Sequence, residues 1–146
     1  MEYKKSNSET LSEIYRNTQL ALESISDILP EIEDENIKEE IMRQHEEYEK
    51  ICATATMIAK NNGQELKEPN PIKKAMMWSS IKMNTIADKS ASHIADMMVQ
   101  GTVMGITALK KTQSDSQGLL EDDVAALLQE LIDLEERFEE RLKGYL

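Results

Sequence analysis

The sequence is poor in the residues that β-rich folds require. Of its 146 residues only 4% are aromatic, and there are five Gly and three Pro. A sandwich or barrel needs frequent turns and aromatic or β-branched strands, so this composition points away from both. Cysteine occurs once, at Cys52, which excludes an internal disulfide and any cysteine-based metal motif. A lone thiol of this kind reads as a small buried apolar residue. No apolar run approaches the roughly 18 residues of a membrane span. The nearest stretch, 94–109, is too short and carries Asp96 and Gln100. No apolar run follows Lys4 and Lys5, so no signal peptide is expected, and the expected compartment is the cytoplasm.

Basic residues are scarce as well. Seventeen Lys and Arg stand against 28 Asp and Glu, a net charge of −11. Such an excess of acid argues against nucleic-acid or anionic-membrane partners, which require phosphate neutralisation. The pairs Lys73-Lys74 and Lys110-Lys111 are too few to reverse that. No glycine-rich phosphate loop occurs. No Ser or Cys has a His and an acid placed to activate it; Cys52 lies seven residues from His45, about 10 Å along a helix.

What the chain does have is helical periodicity. Forty per cent of the residues are hydrophobic, and Pro and Gly cut the sequence into four amphipathic pieces. The spacing predicts helices over 8–29, 34–62, 71–111 and 119–145, within one domain of 1–146. Leu11, Ile14, Tyr15, Thr18, Leu22, Ile25 and Leu29 line the first. Ile37, Ile41, Gln44 or His45, Tyr48, Ile51 or Cys52, Ala55, Ile58 and Ala59 line the second. The third continues through Ile94, Met97, Gly101, Met104 and Ala108, and the fourth through Val124, Leu127, Leu131, Leu134, Phe138 and Leu142. Ser6-Asn7-Ser8-Glu9 and Thr10-Leu11-Ser12-Glu13 both fit a capping box at the first start. Asp34 can cap the second helix, and Asn70-Pro71 suits the start of the third. Short connections then imply an all-α, antiparallel up-down-up-down four-helix bundle. Two helical hairpins that pair only in a dimer are the alternative.

The third helix does not fit its neighbours. At 1.5 Å per residue it would reach about 60 Å against about 40 Å for the second and fourth. It must bend near Gly101 and Gly105, or overhang and meet another subunit. It holds six of the nine Met residues, and 71–117 sums to +3 between flanks of −8 and −6. Met76, Met77 and Trp78 cannot share one stripe, so with Gly101 and Gly105 they form the expected interface of a homo-oligomer.

In helix number, order and length, nearly the whole chain resembles the ferritin-like superfamily. The resemblance implies iron oxidation and storage, or oxygen and peroxide chemistry. Its di-metal centre takes a Glu from each of two helices and Glu-x-x-His from each of the other two. Here Thr18 stands where a Glu is needed, and Met42-Arg43-Gln44-His45 lacks the Glu before His. Ser90 occupies the third place, and Glu135-Glu136-Arg137-Phe138 ends in Phe instead of His. A reduced site remains, in which His45, His93, Asp96 and Glu135 converge on one divalent ion such as Fe or Zn. Otherwise no cofactor is expected, and Thr18, Gln44 and Ser90 form a polar layer in the core that specifies register or holds a small ligand. The leading expectation is a non-enzymatic homo-oligomer acting through protein contacts; the alternative is a ferritin-like metal-binding or oxidative-stress protein.

Overall fold

The computed structural model describes residues 5–67 and 88–146. Their regular secondary structure is all helical, with no strand among them. Helix α1 spans Asn7–Ile28, α2 Glu35–Asn61, α3 Ala91–Asp115 and α4 Asp122–Lys143. No helix among the described residues is long and apolar enough to cross a membrane.

The helix ends follow from local chemistry. Of the two candidate capping boxes the first is used: Ser6 Oγ accepts from the Glu9 amide at 3.1 Å and lies 3.1 Å from Glu9 Oε1. Pro30 tightens the end of α1 into a 3₁₀ turn, Leu29–Glu31. Asp34 caps α2 by accepting from the Ile37 amide at 3.0 Å. At its other end Gly63 takes φ +67. The Gln64 amide reaches Ala59 O and the Gly63 amide reaches Lys60 O. Together these form a Schellman motif that satisfies the last free carbonyls.

The third helix differs from its expectation. Its proposed start at Asn70-Pro71 lies outside the described residues. Within them, Asp88, Lys89 and Ser90 are not helical, and α3 begins only at Ala91. Ser90 has extended backbone, and its hydroxyl accepts from the His93 amide at 3.2 Å. The helix then runs through Gly101 and Gly105 and ends at Asp115, beyond the expected Lys111.

Contacts at the helix ends fix their directions. Gln19 Nε2 reaches Cys52 Sγ at 3.1 Å and Gln64 Nε2 reaches Ser8 O at 2.8 Å, so α1 and α2 are antiparallel. Lys110–Glu136 at 3.7 Å and Gln113–Gln129 at 2.8 Å set α3 against α4 in the same way. At one end the Lys5 amide donates to Asp115 O, and the Glu121 amide donates to Asn7 Oδ1. At the other, Lys89 pairs with Glu31 at 3.2 Å, and the Tyr145 hydroxyl donates to Asn36 O. Thus α2 ends where α1 begins, whereas α3 begins where α1 ends. Helices α2 and α3 therefore run in the same direction, and the strictly alternating course expected from the sequence does not hold.

The core is built mostly from the predicted stripes. Leu11, Ile14 and Ile25 of α1, Ile37, Ile41, Tyr48 and Ile51 of α2, and Val124, Leu128, Leu131 and Phe138 of α4 are all buried. Helix α3 is turned relative to its expected stripe. It buries Ile94, Ala95, Thr102, Ile106, Leu109 and Thr112, while Gly101, Met104 and Ala108 are exposed. Thr102 Oγ1 donates to Met98 O at 2.7 Å, so its hydroxyl is satisfied within the helix and its methyl can join the core.

Candidate functional site

Two glutamates are buried where α2 meets α4, and their surroundings are opposite. Glu40 of α2 is 4% exposed. Its carboxylate lies 3.2 Å from Arg43 and 3.8 Å from Arg141 of α4, with Gln44 Nε2 at 3.4 Å. A buried carboxylate is tolerable when it is paired in this way. Glu40 was hidden in the sequence among the acids that follow Pro30. The signal for it was its place three residues after Ile37 and four before Gln44, both on the buried stripe.

Glu135 of α4 is 1% exposed, and its Oε1 has no hydrogen-bond partner among the described residues. Its pKa is pushed up to about 8 by burial, with hydrogen bonding to Tyr48 acting weakly in the other direction. Tyr48 of α2 is 4% exposed. Burial first, and the adjacent carboxylate second, hold its phenol well above the usual tyrosine range. The Tyr48 ring meets the edge of Phe138 at 5.4 Å between centroids, which fixes the phenol against α4. The fourth contributor is a missing side chain. A Cβ at Gly105 would lie 2.5 Å from Glu135 Oε2, so α3 passes this carboxyl closely and an added side chain there would force the carboxyl to shift. The result is a buried carboxyl beneath α3, between Tyr48 and Gly105, whose burial favours the neutral form.

The other predicted site residues are dispersed. His45 is half-buried, with Nδ1 2.8 Å from Glu49 Oε1. His93 lies in the first turn of α3, and its field helps, after the Ser90 hydrogen bonds, to hold the Asp88 carboxyl below its ordinary value. Asp96 is exposed and accepts from Gln100 at 3.1 Å. Among the described residues no three His, Cys, Asp or Glu side chains form a group that could hold a metal ion. Of the expected polar layer, Thr18 and Gln44 are buried, and Thr18 donates to Ile14 O at 2.8 Å. Ser90 is exposed at its cap position and is not part of that layer. Gly101 faces open space. Met76, Met77 and Trp78 lie outside the described residues.

No family model, curated protein or solved structure matches the chain.

Proposed function

We propose that this chain is a ferritin-like helical bundle without catalysis of its own, acting through protein contacts as a homo-oligomer. The observation that carries this reading is the outward face of α3. Gly101, Met104 and Ala108 fall three and four residues apart and are exposed, and Met104 is 73% and Val103 41% exposed. From Met97 to Leu109 the chain has no charged residue. Small residues on either side of a methionine, at the spacing of a helix–helix seam, suit a second helix of the same kind. A chain of net charge −11 repels its own copies over most of its surface, and this uncharged stripe is where two copies approach at least cost. Static light scattering at micromolar concentration tests the reading. A dimeric or larger mass, reduced to monomer by Met104→Glu, supports it; a monomeric mass for the unchanged chain overturns it.

A second reading is favoured by two other observations. Ferritin-like bundles contain one long crossover, which makes their second and third helices parallel, as α2 and α3 are here. Among the described residues, Glu135 is a buried carboxyl without a cation on the inward side of α4. In this reading Glu135 contributes to a reduced site for Fe or Zn, and the dispersed His45, His93 and Asp96 do not join it. Stoichiometric metal in protein purified without chelators, lowered by Glu135→Gln, supports it; metal-free protein overturns it.

A further inference from the structure

The outward face of α3 has the same spacing read in either direction. Asp96, Gln100, Val103, Met104, Thr107 and Lys111 are all exposed, on the side away from the buried Ala95, Thr102, Ile106 and Leu109. They are separated by four, three, one, three and four residues. The pattern is therefore symmetric about the midpoint between Val103 and Met104. Its chemistry is complementary about the same point. An acid, Asp96, stands at one end and a cation, Lys111, at the other, with uncharged residues between them from Met97 to Leu109. The contact of Lys111 within its own helix is long, 3.9 Å to Asp115, and its side chain is 76% exposed.

Two such faces fit each other in one orientation. Side by side in parallel register, Asp96 would meet Asp96 of the second copy and Lys111 would meet Lys111, and like charges oppose that pairing. Antiparallel, with a two-fold axis between Val103 and Met104, Asp96 lies opposite Lys111 of the second copy, Gln100 opposite Thr107, and Met104 opposite Val103. Gly101 and Ala108, along one edge of the face, then come within about 3 Å of the same level. Neither carries bulk that would hold the two backbones apart. A two-fold contact must be self-complementary, and this one sets two acid–lysine pairs against the self-repulsion of a chain of net charge −11. We propose that two copies of the chain pair α3 against α3, antiparallel about an axis between Val103 and Met104, with Asp96–Lys111 pairs closing both ends. This pairing rests on the homo-oligomer reading above and gives it a partner surface and a direction.

Light scattering on the unchanged chain comes first, and a monomeric mass overturns the pairing together with the homo-oligomer reading. In a dimer, single cysteines report the direction. Cys52→Ser removes the native thiol and keeps an acceptor for Gln19; Gln100→Cys or Thr107→Cys is then added to separate batches of the full chain. The two batches mixed under oxidation are expected to give a disulfide-linked dimer, and each batch alone to stay unlinked. Two copies of position 100 would be about 10 Å apart in the antiparallel pair, beyond the roughly 4.4–6.8 Å that a disulfide spans between Cα atoms. Linkage within each batch marks a parallel pair and overturns the proposal while the homo-oligomer reading stands. A dimer that links in no combination does the same, because its seam lies elsewhere. Charge exchange is the second measurement. Asp96→Lys makes the chain less acidic, which alone would favour association, yet it is expected to raise the dimer dissociation constant about tenfold by removing both end pairs. Adding Lys111→Asp to it is expected to restore the original value, and a failure to restore it overturns the proposal.

Discussion

Arg141 of α4 reaches across to Glu40 of α2 at 3.8 Å, while Arg43 grips the other oxygen of the same carboxylate at 3.2 Å. The carboxylate is buried and the two guanidinium groups are about half exposed. This ties the end of α4 to the start of α2, a link between parts of the chain about a hundred residues apart. Exposed partners limit its strength, so the Arg141–Glu40 coupling in a double-mutant cycle is expected to be about 0.5–1 kcal/mol. Glu40→Ala alone should cost less than Arg43→Ala and Arg141→Ala combined, because the double arginine loss strands a buried charge. Urea unfolding of the four variants checks the ordering.

Glu135 predicts an unusual pH dependence. The folded protein holds this proton up to about 8, whereas the unfolded chain releases it near 4.5. A raised folded pKa means that its contribution is fully present below 4.5 and is lost progressively as pH rises towards about 8. The loss is at most about 1.4 kcal/mol for each pH unit in that window. Ordinary carboxylates favour the opposite trend, but below the window. Unfolding free energy should therefore fall from mildly acid to mildly basic pH. Glu135→Gln should flatten that slope, and Glu135→Leu should raise stability on the basic side. Denaturant titrations across the range check both, and an unchanged slope in Glu135→Gln would assign the effect elsewhere.

How much of this was legible depends on contrast along each helix. In α1, α2 and α4 the stripe is made of Ile, Leu and Phe against charged residues, and the predicted bounds lie within a few residues of those found. Between Met97 and Leu109, α3 has no charge on any side. Periodicity therefore could not choose between the face with Met104 and the face with Thr102 and Ile106. The direction of α3 has no local code at all. It is set by contacts such as Lys89–Glu31 and Lys5–Asp115, which only the folded chain brings together. Glu135 was legible as an inward position because it precedes Phe138 by one turn. Its isolation was not, because that depends on which cations the neighbouring helices fail to supply.

Ser90 illustrates the same limit and gives a simple test. As a stripe residue in a continuous helix, its replacement by Ala would be neutral or favourable. As the cap of α3 it satisfies the His93 amide, and Ser90→Ala should cost about 1 kcal/mol. Ser90→Asp should retain the stability, since Asp caps equally well. A thermal melt of the two variants distinguishes the roles, with Asp at or above the unchanged protein and Ala several degrees below it.

The two glycines of α3 should respond to the same substitution with opposite signs. At Gly101 an added Cβ meets nothing within 4 Å. Gly101→Ala should therefore gain the helix propensity difference of about 1 kcal/mol. At Gly105 the same atom meets Glu135 Oε2 at 2.5 Å and its carboxyl carbon at 3.3 Å. The carboxyl must move within a buried site beside Tyr48, so the propensity gain is outweighed by overpacking of about 1–3 kcal/mol. The cost at Gly105 should shrink when Glu135 is also shortened, as in Gly105→Ala with Glu135→Ala, because the obstructing atoms are then gone. Thermal melts at a protein concentration low enough to exclude self-association separate these effects. Equal shifts at the two glycines would show that the carboxyl moves aside freely, and that Gly105 is present for some reason other than the passage of α3 over Glu135.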